Sequence, residues 1–224
     1  MVGTVVFDLD GTLADTSGDL IAAANACFAD RGLEPLLDPM ADSLVAFHGG
    51  KAMLREGFAR APQDVLIPPT AVDDDYPRLL AHYAENIALH TRLYPGVEDA
   101  LDAIAADRKR LAVCTNKPEG LAETLLTALG IRDRFHSLVG ADTLPTRKPD
   151  PRPYVAAVER AGGTVARSFL LGDTETDFRT AANAGVKVAL VAFGPEGRAL
   201  ERLSPHHLLE HFAELPDLSR RWLG

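Results

Sequence analysis

The stretch Val-Gly-Thr-Val-Val-Phe-Asp-Leu-Asp-Gly-Thr-Leu (2–13) begins apolar and β-branched and ends on two acids, a glycine and a threonine. Val2 to Phe7 reads as a short buried strand. Three further runs share its character: Leu111 to Thr115 (LAVCT), Ser168 to Leu171 (SFLL) and Val186 to Ala192 (VKVALVA). Helical spacing fills the intervals between them. After Pro118, Leu121, Leu125 and Leu129 lead to Gly130. After Pro153, Tyr154, Ala157, Val158 and Ala161 lead to Gly162. After Glu175, Phe178, Ala181 and Ala182 lead to Gly185. Glycine closes each helical run, and proline opens two of the three, as helix capping favours. Strands alternating with helices predict an α/β fold, a parallel sheet covered on both faces.

Such sheets bind ligands at the carboxyl ends of their strands. Polar residues stand at those ends here: Asp8 and Asp10, Thr115 and Asn116, and Asp173 just after Leu171-Gly172. Residues from about 15 to 90 break the alternation. Leu20, Ile21, Ala24 and Phe28 form one helical stripe and Leu79, Leu80, Tyr83 and Ile87 another, with Pro62, Pro68, Pro69 and Pro77 as punctuation. We read 16–93 as an inserted helical cap on a catalytic core made of 1–15 and 94–224, with hinges near Asp15 to Gly18 and Leu93 to Gly96.

Composition narrows the function. The chain has 224 residues, a formal net charge of -9 and 46% hydrophobic residues. That excess of acid argues against a nucleic-acid-binding surface, which needs a basic footprint. No apolar run reaches the roughly 20 residues of a membrane span. No signal peptide is evident, and Cys27 and Cys114 lie in apolar runs without disulfide or metal spacing, so the expected setting is reducing and cytoplasmic.

Asp8 and Asp10 are two apart, so an extended backbone points them to one side. Two carboxylates about 4 Å apart repel by roughly 4 kcal/mol at an effective dielectric near 20. A hard divalent cation with oxygen ligands offsets this, and Mg²⁺ is suited to one or two carboxylates plus phosphate and water. Asp173 and Asp177, four apart, share a helix face. Singly, Asp-Gly after a strand is ordinary turn chemistry and Gly-Asp-Thr is an ordinary N-cap signal. Together, and with a lysine-bearing loop, they point to a site.

The motifs Phe-Asp-Leu-Asp-Gly-Thr-Leu (7–13), Cys-Thr-Asn-Lys-Pro (114–118), Arg-Lys-Pro-Asp-Pro (147–151) and Gly-Asp-Thr-Glu-Thr-Asp (172–177) resemble, in order and spacing, those of the haloacid dehalogenase-like hydrolases. The segment 140–149 is similar to the phosphoglycolate phosphatase branch. The resemblance implies a Rossmann-like core and a Mg²⁺-dependent phosphatase acting on a small phosphate ester. It implies that Asp8 attacks phosphorus and that Asp10 protonates the leaving oxygen, then activates water. It also implies that Asp8, the Asp10 carbonyl and Asp173 hold the metal and that Asp177 orients the site. By the same resemblance Lys148, Thr115 and the N–H groups of Asn116 and Gly11 contact the phosphoryl group. An aspartate at position 10 speaks against dehalogenation.

Substrate choice falls to the cap. A substrate such as 2-phosphoglycolate needs a second cation for its carboxylate. His48-Gly49-Gly50-Lys51 is the candidate loop, with Arg55 and Arg92 in reserve. Sugar phosphates, nucleoside monophosphates and pyridoxal phosphate are alternative substrates. A phosphomutase is a rival activity, and a non-catalytic binding module is opposed by the presence of Asp8, Asp10, Lys148 and Asp173. His206 and His207 read as the start of a terminal surface helix through Leu208, Leu209 and Phe212, with Trp222 as a packing anchor.

Overall fold

The computed structural model describes residues 2–224. The described residues form two compact units: residues 2–15 with 93–224, and residues 16–92.

The first unit is built on six strands: β1 (Thr4–Phe7), β4 (Arg110–Cys114), β5 (Ser137–Val139), β6 (Ser168–Gly172), β7 (Lys187–Val191) and β8 (His207–Leu209). Two-residue strands, β2 (Ala14–Asp15) and β3 (Arg92–Leu93), mark the places where the chain passes between units. The six strands lie in the order β5-β4-β1-β6-β7-β8, every neighbouring pair parallel. Val5 is registered with Leu111 on one side and Phe169 on the other. β1 is therefore central, and all four of its residues are buried.

Burial on both sides explains the lack of polar alternation in the strands. On one face Val6, Ala112, Cys114, Leu170, Val188 and Leu190 pack with Tyr154, Ala157, Val158 and Ala181. The last four belong to α7 (Pro151–Arg160) and α8 (Glu175–Ala184). On the opposite face lie α5 (Val97–Ala106) and α9 (Leu215–Leu223). Trp222 of α9 meets Phe169 edge-on at 4.9 Å, as a packing anchor should. Asp150 caps α7 by accepting the Arg152 N–H, with Pro151 at the first helical position.

Some sequence readings need correction. His206 and His207 do not open a helix: residues 207–209 form the edge strand β8, and helix α9 starts only at Leu215. β5 and β8 are three residues each, too short to show a period. In α6 (Glu119–Ala128) the buried residues are Ala122, Leu125 and Leu126, while Leu121 and Leu129 are half-buried.

The second unit is helical: α1 (Ser17–Asp30), α2 (Ser43–Phe47), α3 (Gly50–Ala59) and α4 (Ala71–Glu85). Pro77 does not punctuate but lies inside α4. Phe28 of α1 meets Phe58 of α3 at 5.2 Å, and a Cβ on Gly57 would lie 2.1 Å from the Phe28 ring. Fully buried Asp75 is matched by the Arg31 guanidinium through bonds of 2.6 and 3.0 Å.

Candidate active site

β1 runs between β4 and β6, so successive connections leave it in opposite directions. This opens a crevice beyond the carboxyl ends of the strands. Asp8 stands there, its N–H still donating to the Leu171 carbonyl of β6. Its Oδ1 accepts the Leu9 N–H at 2.7 Å. The chain then turns back: the Leu9 carbonyl accepts the N–H groups of Thr12, Leu13 and Ala14. Gly11 supplies the positive φ of 77° that this turn requires.

Lys148 arrives from the loop before α7 and is almost wholly buried. Its ammonium donates to Asp8 Oδ2 at 2.8 Å and to Asp177 Oδ1 at 2.6 Å. Asp177 lies in the first turn of α8, where its Oδ2 accepts from the Asp173 N–H, the Thr174 N–H and the Thr174 hydroxyl. Both of its oxygens are thus occupied within the chain. Asp173 Oδ1 accepts the Thr12 hydroxyl at 2.8 Å. Asp173 Oδ2 is buried with no hydrogen-bond partner among the described residues.

Oxygens of Asp8, Asp173 and Asp177 lie within 4.8 Å of one another. Three carboxylates thus face one ammonium. Burial pushes the Asp8 carboxyl up to about 6, with the Lys148 charge opposing and the Asp177 charge adding. Burial also drives Asp173 well above the usual carboxylate range, assisted by the charges of Asp8 and Asp177. For Lys148 burial favours loss of the proton, but the charges of Asp177 and Asp8 outweigh it and raise its pKa. The cluster holds more negative charge than its lysine balances. An orphaned carboxylate oxygen in such a place is the mark of a cation site, and the all-oxygen donors suit a hard divalent ion.

Asp10 stands apart from this cluster. Its Oδ1 accepts from Lys117 Nζ at 2.7 Å. Thr115 is buried at the end of β4, and its hydroxyl accepts the Lys117 N–H at 3.1 Å. The Asn116 side chain donates to the Lys148 carbonyl at 3.1 Å, joining the two lysine-bearing loops. The Gly11 N–H, expected to face a phosphoryl group, instead donates to the Ala14 carbonyl at 2.9 Å, because it closes the turn after β1.

Sequence reasoning overlooked Thr12 and Lys117. Both lie inside the quoted motifs, but in sequence nothing separates them from an ordinary turn hydroxyl and loop lysine. In the second unit, exposed Lys51 pairs with Asp73 at 2.6 Å and lies over the Tyr76 ring; His48 and Arg55 are exposed. Arg92 donates to the carbonyls of Leu89 and Thr91.

Crevice, carboxylate cluster and motif order define a class. A family model for haloacid dehalogenase-like hydrolases matches residues 5–191, and the chain belongs to that family. Among its relatives is a phosphoglycolate phosphatase of Agrobacterium fabrum, 38% identical over 94% of this chain and 89% of that protein. Another, from Caulobacter vibrioides, is 38% identical over 95% and 89%. In fold it is similar to a predicted phosphoglycolate phosphatase from Haemophilus somnus, with a TM-score of 0.84, 26% identity, and coverage of 97% of this chain and 98% of that one.

Proposed function

We propose that the protein is a magnesium-dependent phosphomonoesterase that hydrolyses 2-phosphoglycolate through an aspartyl phosphate on Asp8. The observation that carries the reading is the buried Asp8–Lys148–Asp177 chain beside the unpartnered Asp173 oxygen. The substrate follows from the names of relatives at 38% identity over nearly the whole chain.

In this reading Asp8 attacks phosphorus while the ester P–O bond breaks, and Asp10 gives a proton to the departing alkoxide. Asp10 then takes a proton from water, whose oxygen attacks the aspartyl phosphate and releases inorganic phosphate. Lys148 offsets charge on the nucleophile and the phosphoryl oxygens, and Thr115 and the Asn116 N–H donate to the transferring group. The carboxylates of Asp8 and Asp173, with the Asp10 carbonyl, would hold the metal. Asp177 would serve by placing Lys148, since its own oxygens are taken. Bound Mg²⁺ supplies positive charge where the phosphoryl oxygens gather. We assign residues 16–93 the role of a cap that sets substrate choice, and His48, Lys51 and Arg55 the substrate's carboxylate. Two free, buried thiols suit a reducing, cytoplasmic setting.

A solved structure with 28% identity, a mutant of CbbY from Rhodobacter sphaeroides in complex with xylulose-(1,5)bisphosphate, makes sugar bisphosphates the natural comparison. Phosphate release should be measured over a panel of phosphomonoesters with and without Mg²⁺. Release should require the metal, kcat/KM should be highest for 2-phosphoglycolate, and Asp8→Asn should abolish turnover with the fold intact. Equal kcat/KM across the panel would remove the substrate assignment; turnover by Asp8→Asn at the wild-type rate would remove the mechanism.

A further inference from the structure

We propose that Lys117 is a positioning residue that holds the Asp10 carboxylate where it exchanges a proton with the leaving oxygen. The inference rests on the phosphomonoesterase reading and adds to it a second lysine with a task distinct from that of Lys148.

The first observation is burial. The Lys117 side chain is 4% exposed, and its ammonium lies 2.7 Å from Asp10 Oδ1. A lysine taken this far out of water needs a close anion, because an unpaired buried ammonium costs several kcal/mol. The pair therefore differs from the exposed lysine–aspartate contact at Lys51 and Asp73.

The second observation is how firmly the lysine's backbone is placed. Its N–H donates to the Thr115 hydroxyl and its carbonyl accepts the Ala141 N–H at 2.9 Å. Gly140 permits this approach: a Cβ there would stand 2.8 Å from the Lys117 carbonyl oxygen and 2.4 Å from the Glu119 nitrogen. The Asn116 amide ties the same loop to the Lys148 carbonyl. One frame thus carries both lysines.

The third observation is the division between them. Asp8 meets Lys148 and Asp10 meets Lys117, although the two acids are only two residues apart. Each acid is drawn toward a different loop. A carboxylate anchored at one oxygen has its plane and its second oxygen restricted. A proton donor must stand within about 3 Å of the departing atom, and a misplacement of about 1 Å can cost 10²-fold.

The role is separable from simple charge balance through the leaving group. An alkoxide needs a proton as it departs; p-nitrophenolate does not. The experiment compares single-turnover release from 2-phosphoglycolate and from p-nitrophenyl phosphate by the wild type, Lys117→Met and Lys117→Arg, all full-length and Mg²⁺-loaded. Lys117→Met should lower the ratio of alkyl to aryl rates by about tenfold or more, and Lys117→Arg should restore part of it. A crystal structure of Lys117→Met should show the Asp10 carboxylate displaced or in more than one orientation. An unchanged ratio, with both esters slowed alike or neither slowed, overturns the proposal, as does an Asp10 carboxylate that stays in place. If Lys117→Met does not fold, Lys117→Arg carries the comparison: a ratio equal to wild type with the Asp10 carboxylate displaced overturns the role. A wild-type protein inactive on both esters would instead overturn the phosphomonoesterase reading, and the role of Lys117 with it.

Discussion

At the scale of single residues, Asp8 is held in a costly state that suits its proposed work. Its carboxyl is raised to about 6, chiefly by burial. The sign of the consequence follows from linkage. A carboxylate whose folded pKa lies above its unfolded value favours the folded state below the unfolded pKa, near 4. That advantage is lost as pH rises through about 6. By pH 7 the ionised group disfavours the metal-free fold by an amount on the order of 2–3 kcal/mol. Asp8→Asn should therefore melt higher than wild type in the presence of a chelator at pH 7, with the gap closing toward pH 4. Added Mg²⁺ should narrow or reverse the order by stabilising wild type more. Thermal melts with and without chelator at pH 4 and 7 check both signs; a variant that melts lower than wild type in chelator would show that the cluster is not under repulsion. Asp8 and Asp173 were legible in sequence because they follow apolar strands, whereas Asp177 and Lys148 stood out only through the order of motifs and the family resemblance. Thr12 and Lys117 were not, since a hydroxyl in a turn and a lysine after a strand have many ordinary uses. Only the fold shows the one donating to Asp173 and the other buried against Asp10.

At the scale of elements, the junction of β6 and α8 is a tight part of the site. Gly172 ends the strand, and a Cβ there would lie 2.4 Å from both Cβ and Cγ of Asp177 and 2.6 Å from its Oδ2. The first turn of the helix folds back over the strand end so that Asp177 can reach Lys148. Gly172→Ala should push Asp177 off this position and cost about 1–3 kcal/mol by overpacking. It should also reduce turnover by more than stability alone explains, because Lys148 loses one of its two carboxylates. Urea unfolding together with turnover at saturating substrate checks this; a variant of wild-type stability and activity would show that the junction has slack. The elements that sequence disclosed share one property. β1, β4, β6 and β7 are apolar runs of four or five residues, buried along nearly their whole length. β5 and β8 border the sheet with three residues each, and a run that short carries no period. The α6 stripe was displaced for a related reason: Ala122 is too small to weigh against leucines in a pattern, yet it is as fully buried as Leu125 and Leu126.

At the scale of the molecule, each unit contains one cysteine, Cys27 in the helical unit and Cys114 at the end of β4. Burial pushes the Cys27 thiol up to about 11, helped by Asp75, and the Cys114 thiol up to about 12. Neither should react with a thiol reagent at pH 8 until its own unit opens, and native labelling should be at least about 100-fold slower than for free cysteine. Labelling Cys27→Ala and Cys114→Ala in rising urea would then report the two units separately. Labelling of either at the free-cysteine rate in buffer would contradict the burial seen here. The central position of β1 has a consequence for how the chain is made. Its partners β4 and β6 begin at residues 110 and 168, so the strand is synthesised more than a hundred residues before the first edge it will occupy. At about 5–20 residues per second that is a wait of seconds. The helical unit at 16–92 is contiguous and has no such wait. The inserted piece can complete its contacts on the ribosome while the strand that bears Asp8 is still unpaired, and the host is assembled around an insertion already folded.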